Sequence, residues 1–345
     1  MSQAKVAVVI LNWNGKAYLE QFLPSVVKYS EGHQIIVADN ASTDDSISFL
    51  KANYPSIDII VNTSNGGFAK GYNDALKQVK ADYYVLLNSD VEVTANWVDI
   101  MLEELESNSG CVGVQPKVLA YHNKSVFEHA GAAGGFIDKN YYPFCRGRIF
   151  GDVEEDKGQY DGVREVFWTT GACMLVNAKA YHEVGGLDED FFAHMEEIDM
   201  CWRLKNRGYS FFAAPKAVVY HVGGGTLNYE SPNKTYLNFR NSLYMIHKNY
   251  KGILPLFIFK RLILDGIAAL KFAVKFKFKH LWAIGRAHAN YYQQLPKLNA
   301  KRKALKKATS NLEANKAGFY TGSLLFARFF KGITAFSKLN QRLFK

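Results

Sequence analysis

The sequence predicts an α/β fold: a mixed, mainly parallel sheet with helices on both faces, followed by a helical and strongly basic tail. Three observations support this prediction. Strand and helix patterns alternate through the first hundred residues, which is typical of a doubly wound sheet. Of the 345 residues, 48% are hydrophobic and 21% are charged, an ordinary balance for a packed protein. The charge changes sign near residue 250, which divides the chain into a domain at 1–250 and a tail at 251–345.

Four strand patterns carry the fold prediction. The first, from Val6 to Leu11, is a continuous apolar run, as expected of a parallel strand that is covered on both faces. Each later strand follows a stretch in which apolar residues recur at helical spacing. The predicted strands are 6–11, 34–38, 57–61 and 83–87, and the predicted helices are 17–29, one that ends near 53, and 69–79.

Polar side chains stand at the carboxyl ends of these strands. Asn12 follows the first strand, Asp39 follows the second, and Asp90 comes shortly after the fourth. Ligands of doubly wound sheets bind beyond these ends, so we expect the three side chains to share one crevice. The first turn reads NWNGK and not GxGxxG, which disfavours a nicotinamide dinucleotide. A mononucleotide site read by Asp39 stays open.

Asp90 and His221 are candidate metal ligands. A carboxylate at the position of Asp90 can hold a divalent ion against a diphosphate. The alternative is an Asp that caps a helix or closes a turn. His221 ends an apolar strand and could complete a metal site, since imidazole suits Mn better than Mg. The alternative is a buried structural histidine.

A second group of acids follows in the segment Glu196-Glu197-Ile198-Asp199. On a helix Glu196 and Asp199 share a face and Glu197 points elsewhere. A carboxylate in a cleft can accept the proton of a substrate hydroxyl. The alternative is that these acids only favour the positive end of a helix that starts near Met195.

Two stretches between these groups could contact substrate. The segment 121–165 lacks a periodic pattern and is rich in Gly, Tyr and Phe, so we expect a long loop there that selects the acceptor. Trp168, Thr170 and Gly171 then form a polar and aromatic step before a strand. Trp168 could stack on a sugar or belong to the core.

Cysteines and apolar runs bear on location. The four cysteines are far apart and form no CxxC pair, which argues against a zinc knuckle and favours a reducing compartment. The first residues lack the pattern of a secretory signal. An uncharged apolar stretch of about 18 residues, long enough to span a bilayer, is also absent from the sequence. We therefore expect a cytoplasmic protein.

The tail predicts an anionic partner. Residues 1–250 hold 22 Lys and Arg against 30 Asp and Glu, whereas residues 251–345 hold 20 Lys and Arg and only Asp265 and Glu313. Helical spacing gathers Arg261, Asp265 and Lys271 in one arc, as in a helix that lies in a membrane interface. The alternative is a helix packed on the body with its basic face in solvent. Nucleic acid is disfavoured because no recognition motif accompanies the basic runs.

These patterns together resemble family 2 glycosyltransferases of the GT-A fold, and rhamnosyltransferase-like bacterial members in particular. The resemblance covers roughly residues 5–245 and rests on seven motifs in order. They are VAVVILNWNG, IIVADNASTDDS, NGGFAKGYNDAL, YYVLLNSDVEV, TTGACMLVNAKAYHEVGGLDEDFF, EEIDMCWRLKNRGY and HVGGGT.

The resemblance implies a role for each position that matches a motif. Asp39 would bind the nucleobase, Asn88-Ser89-Asp90 occupies the Asp-X-Asp position, and Glu197 or Asp199 would be the general base. His221 would join Asp90 at a divalent cation, Mg or Mn. The full nucleotide-sugar set is Leu11, Asn12, Asn14, Asp39, Asn65, Gly67, Asn73, Asn88, Ser89 and Asp90, and the acceptor set is Trp168, Thr170, Gly171 and Glu196.

The activity that the resemblance implies is inverting transfer of a hexose from a UDP-linked or dTDP-linked donor. The acceptor would be a hydroxyl of a lipid-linked or polysaccharide chain, at the inner face of the cell membrane, where the basic tail would bind peripherally. One base and one cation suffice for direct displacement at the anomeric carbon. Two alternatives stay open: sugar transfer onto a polyprenyl phosphate, and a non-catalytic protein that binds nucleotide sugars.

Overall fold

The computed structural model describes residues 5–223 and 231–345, so Gly224 and Gly225 of the HVGGGT motif lie outside the described residues. The strands, in chain order, are β1 (Val6–Asn12), β2 (Gln34–Asp39), β3 (Asp58–Val61), β4 (Tyr83–Asn88), β5 (Val91–Val93), β6 (Cys111–Ala120), β7 (Asn123–Phe127), β8 (Gly135–Asp138), β9 (Pro143–Cys145), β10 (Arg148–Ile149), β11 (Asp152–Val153), β12 (Arg164–Val166), β13 (Cys173–Asn177), β14 (Ser210–His221) and β15 (Phe319–Tyr320). The helices are α1 (Lys16–Tyr29), α2 (Ser46–Asn53), α3 (Gly67–Leu76), α4 (Trp97–Ser107), α5 (Ala178–Glu183), α6 (Glu196–Lys205), α7 (Pro232–Asn249), α8 (Leu254–Val274), α9 (Phe278–Gln293), α10 (Leu295–Ala308) and α11 (Leu324–Phe329).

The main sheet has the order β12-β14-β6-β13-β4-β1-β2-β3. Strand β1 pairs in parallel with β2 and β4, and β2 pairs in parallel with β3. Strand β13 is antiparallel to β4 and β6, and β14 returns parallel to β6. This arrangement confirms the predicted mixed α/β sheet.

Both faces of the sheet are covered, as the continuous apolar run of β1 predicts. Val6, Val8 and Ile10 belong to the core beneath α1 and α4, while Ala7 and Val9 belong to the core beneath α3. Successive side chains of a strand point to opposite faces, so a strand buried on both sides has no polar position along its length.

A second sheet overturns the expectation of an irregular loop at 121–165. Strands β8 to β11 follow one another in this segment, and β15 of the tail completes the sheet in the order β11-β10-β9-β8-β15. Phe136 and Phe144 of this sheet each pack against Phe336 and Phe344 of the tail. The strands are two to four residues long, too short to produce a periodic pattern in the sequence.

The tail forms helices as predicted, and α8 buries two of its charged residues against the body. Arg261 and Asp265 are buried, and Arg261 Nε lies 3.0 Å from Asp265 Oδ1. The guanidinium also donates to Asn140 O at 3.1 Å and lies 3.9 Å from the centroid of the Tyr142 ring. His288 Nε2 approaches Asp265 Oδ2 at 3.3 Å. The charged residues of α8 are therefore divided: Arg261 and Asp265 pack on the body, whereas Lys260, Lys271 and Lys275 are exposed.

The apolar side of α8 faces outward. Ile263, Ile267 and Val274 are all exposed large hydrophobic side chains. Among the helices of the described residues, none combines the length and apolar character that crossing a bilayer requires.

Candidate active site

The ends of β1 and β2 are joined by their polar side chains. Their register places Asn12 opposite Asp39, and Asn12 Nδ2 donates to Asp39 Oδ2 at 3.0 Å. Ser42 N donates to the other oxygen, Oδ1, at 2.8 Å. Asn12 Oδ1 is buried and has no hydrogen-bond partner among the described residues. This carbonyl oxygen is therefore an acceptor that a ligand could satisfy.

The loop after β1 closes over the same pair. Asn14 has a positive φ of 48°, and its side-chain oxygen accepts from Thr43 N at 2.7 Å. Asn14 N donates to Ser42 Oγ at 2.8 Å. A β-carbon on Gly15 would lie 2.4 Å from Asn12 Oδ1 and 3.5 Å from Ser89 Oγ, so Gly15 leaves this corner open.

A line of amides leads from β2 to the start of α3. Asn40 Nδ2 donates to Asn65 Oδ1 at 2.9 Å and to Gly67 O at 3.2 Å. Gly67 has a φ of +84°, and a β-carbon there would lie 2.5 Å from Phe192 O. Phe68 N donates to the same carbonyl at 2.7 Å. This side of the site thus contacts the loop before α6.

That loop is strained. Phe192, His194 and Met195 all have a positive φ, between 64° and 73°, which is costly for residues other than glycine. Asn241 of α7 holds the turn, because its Nδ2 donates to Phe191 O, Ala193 O and His194 O at 2.7–3.0 Å.

Glu197 lies at the amino end of α6, beside the ring of Phe68. A β-carbon on Gly171 would lie 3.1 Å from the Phe68 ring and 3.9 Å from Glu197 Cβ. The next residue, Ala172, accepts from Asn88 N at 3.0 Å. A continuous set of contacts therefore links Asp39, Glu197 and the Asn88-Ser89-Asp90 segment around one rim.

The surroundings of Glu197 shift the pKa of its carboxyl group toward neutral pH. Burial raises its pKa to about 7, while backbone N–H groups of Met195, Glu197 and Ile198 act to lower it. Burial, then the nearby Glu197 charge, raises the pKa of Glu196 well above its usual value. One oxygen of each acid, Oε2, is buried with no hydrogen-bond partner among the described residues.

Asp199 lies on the same helix but is committed to an ion-pair network. It is fully buried, and its carboxylate accepts from Arg203 Nε at 2.8 Å, Lys248 Nζ at 2.9 Å and Asn249 Nδ2 at 2.8 Å. Lys248 also pairs with Asp188. Asp199 therefore fastens α6 to α7, and its carboxylate oxygens are occupied by these hydrogen bonds. Glu197 remains as the candidate base.

Asp90 and His221 lie together at the far end of the rim. His221 Nε2 is 3.2 Å from Asp90 Oδ1 and 3.5 Å from Asn88 Nδ2, and His221 Nδ1 is 3.3 Å from Glu128 Oε2. Burial alone would lower the pKa of His221, but Asp90 and Glu128 outweigh it and raise the pKa to about 10. The imidazole is therefore protonated when no other cation is near.

The donor set can be tested against a divalent ion. Across residues 5–223 and 231–345, no group of three or more His, Cys, Asp or Glu surrounds a common cation position. Mg²⁺ usually takes one or two carboxylates from the protein and completes its shell with water and substrate phosphates. Asp90 and neutral His221 could supply the two protein ligands of such a site. They do not provide a ligand set for a site made of protein groups alone.

Three predicted substrate residues are occupied elsewhere. Trp168 is buried against Gly135, and its Nε1 donates to Phe136 O at 2.9 Å. Thr170 is buried, and its Oγ1 accepts from Ala172 N. Asn73 donates to Leu187 O at 2.8 Å and accepts from Tyr181 Oη at 2.7 Å. Each of these side chains is therefore bonded within the protein and supports the wall of the site.

The residues that the sequence did not reveal are Asn241 and Glu128. Asn241 sits inside a helix, where a polar residue gives no signal until its partners are known. Glu128 lies in the segment expected to be a loop.

The chain is similar to known proteins in sequence and in fold. A family model described as Glycosyl transferase family 2 matches residues 7–155, the part that carries Asn12, Asp39 and Asp90. An N-acetylglucosaminyl-diphospho-decaprenol L-rhamnosyltransferase of Mycobacterium tuberculosis is 25% identical over 232 residues, 62% of this chain and 75% of that protein. The rhamnosyltransferase WbbL of Escherichia coli is 24% identical over 227 residues, 63% of this chain and 83% of that protein. The chain is a glycosyltransferase, similar in sequence to family 2 members.

Solved structures share the fold of this glycosyltransferase. The mannosyltransferase PcManGT from Pyrobaculum calidifontis, in complex with GDP-Man and Mn²⁺, has a TM-score of 0.52 at 16% identity and covers 90% of this chain and 84% of its own. Residues 1–349 of TarS from S. aureus give a TM-score of 0.53 at 16% identity, over 89% and 87% of the two chains.

The different environments of Asp199 and Glu197 predict different effects on the stability of the glycosyltransferase. Asp199→Asn should lower the free energy of unfolding by roughly 3–5 kcal/mol, because it leaves buried Arg203 without its counter-charge and Lys248 with Asp188 alone. Glu197→Gln should change it by less than about 1 kcal/mol, because the lost charge is one that burial disfavours. Urea unfolding of both variants checks this. Equal losses of stability would contradict the division of roles.

Proposed function

We propose that this glycosyltransferase moves a sugar from a UDP-linked or dTDP-linked donor to a hydroxyl of a lipid-linked or polysaccharide acceptor, with inversion at the anomeric carbon. The observation that carries the proposal is the single rim formed by Asp39, Asp90 and Glu197, linked through Asn40, Gly67 and Gly171. A nucleotide, a diphosphate and a proton acceptor can meet along one such rim.

The nucleotide end of the rim is built from amides and one carboxylate. Asp39 keeps lone pairs beyond the two that Asn12 and Ser42 use, and it can accept from a base N–H. Asn12 Oδ1 supplies a second unpaired acceptor. Leu11, Asn14, Asn65 and Gly67 complete the walls of this pocket.

The diphosphate end belongs to Asn88, Ser89, Asp90 and His221. Asp90 with neutral His221 would hold Mg²⁺ or Mn²⁺ there. A divalent ion, when bound, neutralises the charge that develops on the leaving diphosphate. His221 would hold the ion only in its neutral form, and Asn88 Nδ2, 3.5 Å from His221 Nε2, could donate to a phosphate oxygen placed there.

Glu197 is the proton acceptor of the proposal. Its Oε2 has no hydrogen-bond partner among the described residues, and its pKa of about 7 suits a base that works near neutral pH. Gly171 leaves room beside it, and Glu196 stands one residue away. One base on the face opposite the leaving group gives a single displacement, and hence inversion.

The acceptor and the location follow from the relatives and the tail. The M. tuberculosis relative acts, by its name, on a sugar attached to a lipid diphosphate. We extend that acceptor class to this chain, and with it a role in the synthesis of cell-envelope polysaccharide. The basic tail supports peripheral binding at the cytoplasmic face of the cell membrane.

Replacing the base should stop transfer and leave nucleotide binding intact. Glu197→Gln should lower kcat about 10²–10⁴-fold, the usual contribution of a positioned base. In the wild type, kcat/KM should rise with pH through about 7, because only ionised Glu197 accepts the proton. Calorimetry with UDP and dTDP checks binding, and exposed Glu20→Gln is the control. A fully active Glu197→Gln would contradict this mechanism and favour transfer to an acceptor that is already anionic, such as a polyprenyl phosphate.

Removing the Asp90 carboxylate should uncouple the nucleotide from the cation. We expect Asp90→Asn to lose at least about tenfold of the affinity for UDP or dTDP in the presence of Mn²⁺, and little in its absence, because the Asp90 carboxylate would help to hold the ion that neutralises the diphosphate. The matched control is Asp58→Asn, since Asp58 begins β3 at the other end of the sheet. Nucleotide affinity that is independent of Mn²⁺ in the wild type would contradict the cation site.

A further inference from the structure

The helices α8 and α9 form an antiparallel pair whose outer side is apolar. The side chains concerned, which we call the outer apolar face, are between 52% and 81% exposed. They are Leu256, Phe259, Ile263, Ile267, Leu270, Val274, Phe276, Phe278 and Trp282. On α8 they recur every three or four residues, so they form one stripe about 30 Å long. Single exposed hydrophobic residues are ordinary, but a continuous stripe marks an interaction surface.

The stripe is forced outward by the charges on the opposite side of α8. Arg261 and Asp265 are buried together and bonded to the second sheet through Asn140 and Tyr142. Turning α8 by half a rotation would bury the stripe but would carry Arg261 away from Asn140 and Tyr142, and Asp265 away from His288. The helix is therefore held with its apolar side away from the protein.

The charges around the outer apolar face select its partner. Between residues 254 and 290 the only acid is Asp265, which is buried, while the exposed cations include Lys260, Lys271, Lys275 and Lys279. A second copy of this chain would bring the same cations against them, which disfavours self-association. An apolar surface edged by lysines is complementary to the acyl boundary and anionic headgroups of a bilayer.

We propose that the outer apolar face lies in the interface of an anionic lipid bilayer, with α8 parallel to the membrane plane. Its lysines contact the headgroups, and Trp282 and Phe278 enter the boundary between headgroups and acyl chains. The proposal gives the surface and the orientation for the membrane location proposed above and rests on that location. It does not depend on the assignment of the base or the cation.

This orientation would place the catalytic rim close to the lipid. Thr235, at the start of α7, bonds to His280 of α9, with Oγ1 and Nδ1 2.8 Å apart. Asn241, which holds the loop before Glu197, is six residues further along α7, about 9 Å along the helix axis. A hollow of about 440 Å³ beside this contact is lined in part by Phe278, Lys279, Trp282 and Arg286. A lipid-linked acceptor held in the membrane would therefore stand near the base.

The test uses the full chain and vesicles that contain no lipid-linked acceptor. Wild-type protein should co-sediment with vesicles of phosphatidylglycerol and phosphatidylcholine, and at least tenfold less with phosphatidylcholine alone or at high salt. The double variant Ile263→Glu with Ile267→Glu should lose at least tenfold of the binding to anionic vesicles. Val27→Glu is the matched control, because Val27 is an exposed apolar residue on α1, and it should bind like the wild type.

Two further measurements separate the possible failures. Unchanged affinity for UDP or dTDP shows that each variant is folded, whatever its vesicle binding. Trp282 emission should shift to the blue on anionic vesicles. Trp282→Phe should remove most of that shift, because Trp97, Trp168 and Trp202 are buried and the exposed Trp13 lies in the loop between β1 and α1, outside the outer apolar face. Vesicle binding that survives in the double variant would overturn this surface and keep the membrane location. If the wild type does not bind vesicles and is oligomeric, whereas the double variant is monomeric, a second copy covers the outer apolar face.

Discussion

The register of β1 between β2 and β4 is the constraint on which the site depends. It sets Asn12 opposite Asp39 on one side and Leu11 opposite Asn88 on the other. Because the three strands are parallel, their polar ends open at one edge of the sheet. A shift of one residue in either pairing would turn the apolar side chains of β1 from one core to the other, so both cores hold the register in place.

The rest of the rim is assembled from parts of the chain that are far apart. The loop before α6 reaches Gly67 through Phe192, and Asn241 of α7 supports it with three hydrogen bonds. Residues with positive φ in that loop cost free energy, and the buried amide offsets this cost. The position of Glu197 therefore depends on α7, which in turn is fastened to α6 by Lys248 and Asp199.

The local sequence pattern was sufficient to predict the first half of the fold and the polar residues at the strand ends. Strands β1, β2 and β4 agree with their predictions to within one residue, because a buried parallel strand is a continuous apolar run. The different roles of Glu197 and Asp199 could not be predicted, because the charge of Asp199 is neutralised by Lys248, 49 positions away. The orientation of α8 was equally hidden, because Arg261 is held by Asn140, 121 positions away.

We propose that one crevice at the ends of β1, β2 and β4 receives the whole nucleotide sugar. A crystal structure with UDP or dTDP and Mn²⁺ would test this proposal. We expect the base beside Asp39 and Asn12, the diphosphate and the ion at Asp90, and Glu197 facing the open end of the diphosphate. A nucleotide bound in any other cavity, with Asp39 and Asp90 untouched, would contradict it.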